Sequence, residues 1–150
     1  MSIVASITQN DTLSINNQVI TTFANNDCGK LTFPNEIVEF DVGKNGNILQ
    51  AINYKGFIVN IQIRIIMGAS DDQYFNGLLN QLMNGSPSFQ TAYFTKNFID
   101  KNGNVISASI AAQGGNIVKA PEMIISANGN IEQVVAVWDF RFGYWNRIVA

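Results

Sequence analysis

The stretch Gly56–Met67, "GFIVNIQIRIIM", constrains the fold of this chain more than any other. Phe57, Val59, Ile61, Ile63, Ile65 and Met67 share one side of an extended chain, while Asn60, Gln62 and Arg64 share the other. Strict alternation of this kind describes a strand with one face on a core and one face polar, as in an antiparallel sheet. "EIVEFDV" (36–42) repeats the pattern, with Val38, Phe40 and Val42 opposite Ile37, Glu39 and Asp41. So does 131–142, where Val134, Ala136, Trp138, Phe140 and Phe142 alternate with Gln133, Val135, Val137, Asp139 and Arg141. Further strands are expected at about 89–99, 104–111 and 117–126, and "TLSINNQVITTF" (12–23) reads as a hairpin turning at Asn16-Asn17.

Turn chemistry agrees. "NGNI" at 45–48, "NGNV" at 102–105 and "NGNI" at 128–131 each lead into strand-forming sequence. Asn-Gly tolerates the positive φ that tight hairpins demand. The surrounding sequences are otherwise dissimilar, so these are repeated turns and not a repeated module. "DKNGNVISASIA" (100–111) starts like a calcium loop with Asp100, Asn102 and Asn104. The glycine and distal glutamate that such a loop needs are replaced by Val105 and Ala111, so no calcium site is expected.

One helix interrupts the strands, at about 70–85. Ser70 and Gln73 suggest a capping box, and Asp71 and Asp72 suit the positive end of the helix dipole. Tyr74, Phe75, Leu78, Leu79, Leu82 and Met83 form an apolar stripe at helical spacing, read as core packing. Gly85 and then Pro87 stop the helix. Residues 24–35, "ANNDCGKLTFPN", show no period and are read as a loop available for contacts. The sum is one domain over residues 1–150, mainly β, an antiparallel β-sandwich or open barrel with one packed α-helix.

Composition narrows the function. Hydrophobic residues make up 47% of the chain and charged residues only 13%, against about 25% in ordinary soluble domains. A surface so poor in charge points towards burial against other subunits. The net charge of −2 offers no broad basic footprint for nucleic acid. No apolar run approaches the roughly 20 residues that span a bilayer, and the first residues have neither the basic start nor the apolar core of a signal peptide. The chain contains no histidine, which removes Ser-His-Asp triads, Cys-His dyads and histidine metal sites. Cys28 is alone and has only Lys30 nearby to activate it, so it is read as a passive loop residue. "AAQGGN" (111–116) lacks the lysine and spacing of a phosphate loop, and no carboxylates pair for acid–base work. These residues point away from catalysis, and no cofactor is expected.

The order of pieces resembles the small single-domain phage tail tube proteins of contractile and related tails. The resemblance covers roughly 12–142 and rests on two pieces. In "FDVGKNGNILQAINYKGFIVNIQIRIIMGASDDQYFNGLLNQL" (40–82) an Asn-Gly hairpin leads to an alternating strand, a serine cap and an amphipathic helix. In "AAQGGNIVKAPEMIISANGNIEQVVAVWDFRF" (111–142) a K-A-P segment, a turn and a W-D-F strand follow in order. The resemblance implies homohexameric rings whose sheets join into one β-barrel. The rings stack into a hollow tube that conducts the genome without binding it specifically. Sheath, tape-measure and tail initiator or terminator proteins are the implied partners, and the virion tail is the implied location after synthesis in host cytoplasm.

Within that frame the polar strand faces are expected to line the lumen: Glu39 and Asp41; Asn60, Gln62 and Arg64; and Gln133, Asp139 and Arg141. Such a lumen would be mainly amide-lined, its arginines answered by carboxylates, and close to neutral or slightly acidic. The loop residues Asn25, Asn26, Asp27, Cys28, Lys30 and Phe33 are expected at a ring-to-ring contact. Two other readings stand beside this one. The first is a small β-sandwich that binds carbohydrate or peptide through Trp138, Tyr144 and Trp145. The second is a tail terminator or baseplate component. On the tube reading Trp138 is core, and Tyr144 and Trp145 lie beyond the last strand and cover a subunit seam.

Overall fold

Alternation becomes a curled antiparallel sheet in the computed structural model, which describes residues 6–7, 11–24, 28–86, 88–125, 127–129 and 134–150. The strands are β1 (Ser6–Ile7), β2 (Thr12–Ile15), β3 (Gln18–Val19), β4 (Gly29–Thr32), β5 (Val38–Val42), β6 (Ile48–Ile52), β7 (Val59–Ile66), β8 (Gln90–Ile99), β9 (Val105–Lys119) and β10 (Val135–Val149). A 3₁₀ turn at Tyr54–Phe57 precedes β7, and the helix α1 spans Ser70–Met83. Eight strands form one sheet in the order β3-β2-β8-β9-β10-β7-β4, with β1 on the outer edge of β8; β5 and β6 pair only with each other.

β7 does what its sequence requires: Val59, Ile61, Ile63 and Ile65 are buried while Asn60, Gln62, Arg64 and Ile66 turn away. Beside it β10 buries Ala136, Trp138, Phe140 and Phe142 in register, with Trp138 opposite Ile63 and Phe140 opposite Ile61. Leu13 and Ile15 of β2 complete the opposite wall. A methyl group built on Gly29 of β4 would lie 4.0 Å from Leu13 Cδ2, so the two ends of the strand order approach each other. They do not pair, and the barrel stays open.

α1 fills the opening. The ring of Phe75 stands edge-on to Trp138 (5.7 Å between centroids) and to Phe140 (5.1 Å), and Leu78 is buried beside it. Of the expected apolar stripe, Tyr74, Leu79 and Leu82 pack against the core, but Met83 is 75% exposed because the helix ends there. Gly85 closes the helix with φ +78° as expected. The Ser70–Gln73 capping box does not form. Ala69 is the N-cap, the Gln73 amide donates instead to the Gly68 carbonyl, and Asp72 accepts from the Gly68 N–H at 2.9 Å.

The three Asn-Gly turns also need correction. Among the described residues of these turns positive φ falls on Gly46, Gly103 and Gly129, and the first two hairpins use three-residue loops with a left-handed glycine. Asn16-Asn17 does form a two-residue turn, with φ of 52° and 67°.

The strands expected at 104–111 and 117–126 are one strand, β9, which ends at Lys119. Gly114 (φ +68°) lets it bend, and Gly115 lies so close to Phe142 that any Cβ would sit 2.3 Å from the ring. β10 likewise runs past 142 to Val149, so Tyr144 and Trp145 belong to a strand. The segment 24–35 is not all loop either, since β4 within it pairs with β7 from Gly29↔Ile63 to Thr32↔Asn60.

Candidate functional site

Three features of this fold face outward: a polar sheet face, an open strand edge and a projecting arm. The polar face follows from the pleat. Once Ile61, Ile63, Trp138 and Phe140 are buried, their neighbours must point the other way. Register then sets them in rows. Lys30 lies across from Gln62, Gln62 from Asp139, and Asp139 from Lys119. The next row runs Thr32, Asn60, Arg141 and Asn116. Arg141 Nε donates to Asn60 Oδ1 at 2.9 Å, and a shallow cavity of about 540 Å³ lies over the rows.

The expected lumen residues Asn60, Gln62, Arg64, Asp139 and Arg141 thus come together on one face. Gln133, assigned with them, lies outside the described residues, as do Asn25, Asn26 and Asp27 of the expected contact loop. Asp139 is diagonal to Arg64, which stands opposite Val137. Among the described residues the face holds the cations Lys30, Arg64, Lys119 and Arg141, and the carboxylates Asp139 and Glu122 lie beside Gln62 and Lys119.

Glu39 and Asp41 are elsewhere, on the β5–β6 arm. The arm is rooted firmly: Asn53 N–H donates to the Ile37 carbonyl (2.7 Å) and the Asn53 side-chain amide to the Glu36 carbonyl (3.0 Å). Gly56 is pressed so closely on this root that a Cβ would lie 2.6 Å from Ile37 Cα. Beyond the root the arm is bare. The opposed pairs Val38/Ile52 and Val42/Ile48, with Phe40 between them, give one apolar face, and Glu39 and Asp41 lie on the other. Phe40 is 67% exposed, so the core position expected for it from alternation is not realised; a strand paired only with one other strand has no core to face.

The open edge belongs to β10. Its pairing with β7 stops at Phe142↔Val59, whereas its pairing with β9 continues to Val149↔Ala108. From Gly143 onward no described strand pairs on the β7 side. Trp145 packs against Phe33 of its own chain (4.6 Å) and donates to the Gly56 carbonyl (3.2 Å). Trp145 thus has contacts within its own chain beside the open edge of β10. Phe33 anchors this packing while remaining 43% exposed, Lys30 is exposed, and Cys28 gives its carbonyl to the Arg64 N–H.

The Asp100 loop is occupied by its own backbone. Asp100 Oδ1 accepts from the N–H groups of Asn102 and Asn104, both at 2.9 Å. Calorimetric titration is expected to show no sub-millimolar calcium binding, and binding abolished by Asp100→Ala would contradict this. Among the described residues no cluster of three His, Cys, Asp or Glu side chains could hold a metal, and no helix is long and apolar enough to cross a membrane.

No family model and no curated protein matches the sequence. Solved structures match the fold. The anti-feeding prophage cap, a tube-terminating cap, superposes with a TM-score of 0.63 at 9% identity, covering 100% of this chain and 95% of that one. A chain of an extracellular contractile injection system, in the extended sheath–tube complex, superposes with a TM-score of 0.56 at 10% identity, covering 93% of this chain and 87% of that one. The chain therefore has a tail-tube-like fold, mainly antiparallel β with one helix.

Proposed function

With a tail-tube-like fold as premise, we propose that this chain is a structural subunit of a phage tail or contractile injection tube, assembling as homohexameric rings. The observation that carries the proposal is the fold match over the whole chain, joined to surfaces that one copy leaves unfinished. An unpaired strand edge such as β10 beyond Gly143 invites edge-to-edge pairing, and ring closure satisfies it without an open, aggregating end.

Stacked rings would enclose a channel through which DNA passes without specific contacts. In this reading the polar face of β4, β7, β9 and β10 lines the channel. Glu39 and Asp41, brought in on the arms, offset the cations Lys30, Arg64, Lys119 and Arg141. Sheath, tape-measure and initiator proteins are the partners such a tube requires, and the virion tail or injection particle is its location.

The match to a tube-terminating cap favours a second reading, a ring that ends a tube instead of extending it. Negative-stain microscopy of the concentrated protein separates them. Tubes support the subunit reading, and single rings that do not stack support the terminator. A protein monomeric at high concentration and in the presence of the tail initiator would overturn both.

A further inference from the structure

The outer face of the main sheet changes character from one side to the other. At β4, β7 and the first half of β10 it carries the charged rows described above. Across β2, β8, the middle of β9 and the end of β10, register sets out different rows. One runs Ser14, Tyr93, Ala111 and Asn146, the next has Gln113 beside Tyr144, and a third runs Thr12, Thr95 and Ser109. None of these side chains is charged. They are hydroxyls, amides, one methyl and two phenols, turned outward because Leu13, Ala92 and Ala112 between them are buried.

Ala111 is the floor of a shallow cavity of about 390 Å³ between Tyr93 and Tyr144, with Asn17, Thr91, Gln113 and Asn146 around it. That volume falls within the range of about 300–1,000 Å³ found for small-ligand sites. Both rings are half exposed, at 48%, and both are held in place. The side chains of Ser109 and Thr95 hydrogen-bond the Tyr93 hydroxyl, which lowers its pKa below 10.0. Tyr144 leans on Phe57, with 5.9 Å between ring centroids. A ring already immobilised loses little entropy when a ligand packs on it.

We infer that this cavity binds a neutral saccharide, one pyranose lying over Ala111 with its C–H face against the tyrosine rings and its hydroxyls on the surrounding amides and hydroxyls. The chemistry of the lining selects this class. A small ion finds no opposite charge here, and a nucleic acid finds rings for its bases but no cation for its phosphates. An extended peptide needs a strand edge, and β8 and β9 already pair on both sides. A purely apolar ligand would leave the amides and hydroxyls unpaired. A pyranose answers both halves of the lining. Its polarised C–H groups suit the negative faces of the rings, and its hydroxyls donate and accept as the surrounding side chains do. Of the aromatic residues that the saccharide reading of the sequence named, only Tyr144 takes part, since Trp138 is buried and Trp145 packs on Phe33. The site is complete in one copy, so the inference stands apart from ring or tube formation.

NMR titration of the full chain with cellohexaose, maltohexaose and chitohexaose tests the site. At least one of the three is expected to bind with a Kd of about 1 mM or below. Tyr93→Ala and Tyr144→Ala are each expected to weaken that binding about tenfold. Ala111→Trp, which keeps both tyrosines and fills the floor, is expected to abolish it. Circular dichroism of all three variants should match wild type, because the substituted side chains lie on the surface. No binding by any of the three sugars at about 10 mM would overturn the inference. So would binding that none of the variants weakens, which would put the sugar elsewhere. Binding of an oligothymidylate or an extended peptide at Tyr93 and Tyr144 in place of the sugars would overturn it as well. Each of these failures leaves the tube reading intact.

Discussion

Phe75→Ala is expected to destabilise the dissociated subunit by about 4 kcal/mol, which lowers its melting temperature by roughly 8–16 °C. Phe75 is fully buried and is the point where α1 meets the sheet, edge-on to both Trp138 and Phe140. Truncation removes the transfer free energy of the ring, leaves a cavity and ends two aromatic contacts. The cavity cannot collapse easily, because at the start of α1 the carboxylates of Asp71 and Asp72 accept hydrogen bonds from the Thr21 N–H, the Gly68 N–H and the Trp138 indole N–H. Phe75→Leu keeps most of the volume and is expected to cost less than half as much. Urea unfolding of the two variants checks the ranking, and a loss below about 1 kcal/mol for alanine would show that the ring is not a core element.

Asp71→Asn is expected to cost about 3 kcal/mol near neutral pH and progressively less in acid. Asp71 is 2% exposed, and its Oδ2 accepts from the Thr21 N–H (2.9 Å), the Thr22 N–H (2.9 Å) and the Thr22 hydroxyl (2.6 Å). These bonds tie α1 to the segment that leaves β3. Burial alone pushes its pKa up, but the hydrogen bonds from Thr22, Thr21 and Gln18 outweigh burial, and the net direction is below the ordinary value of 3.8. A carboxyl more acidic in the folded chain than in the unfolded one stabilises the fold fully above the unfolded value. That contribution is lost as pH falls through 3.8 towards the lower folded value. Asparagine keeps the shape but turns an N–H₂ or a neutral oxygen towards three donors. Denaturation midpoints of wild type and variant should therefore differ most near pH 6 and converge in acid. A gap that stays constant down to pH 3 would mean the carboxylate charge contributes nothing.

The comparison between sequence and structure divides along physical lines. Period-2 alternation at 56–67 placed β7 and both of its faces, because a strand between two neighbours must bury one side. The Phe75–Leu78–Leu82 stripe located α1, and Asn16-Asn17 located a two-residue turn, since few residues accept positive φ at both positions. The same rule failed for 38–42. Phe40 alternates as well as Phe140 does, yet alternation says only that a strand has two faces and not that a second layer covers one of them. The capping box failed because competing acceptors near the helix start, the Gly68 carbonyl and the Asp72 carboxylate, are separated from Ser70 by too little sequence for a motif to rank them.

The joining of 104–111 to 117–119 depended on Gly114 and Gly115 accepting a bend against Phe142, a contact made across the β9–β10 ladder and invisible from either segment alone. The sequence by itself determined where β7, α1 and the turn at Asn16-Asn17 lie, because those choices follow from side-chain period and backbone φ preferences within a few residues; it did not give β4 or the full extent of β9 and β10. Only the tertiary structure decided which faces are covered, how Lys30, Gln62, Asp139 and Lys119 form one row, and which edge stays open. Those outcomes depend on pairing between segments as far apart as Val59 and Phe142, and register and burial exist only once the strands have met.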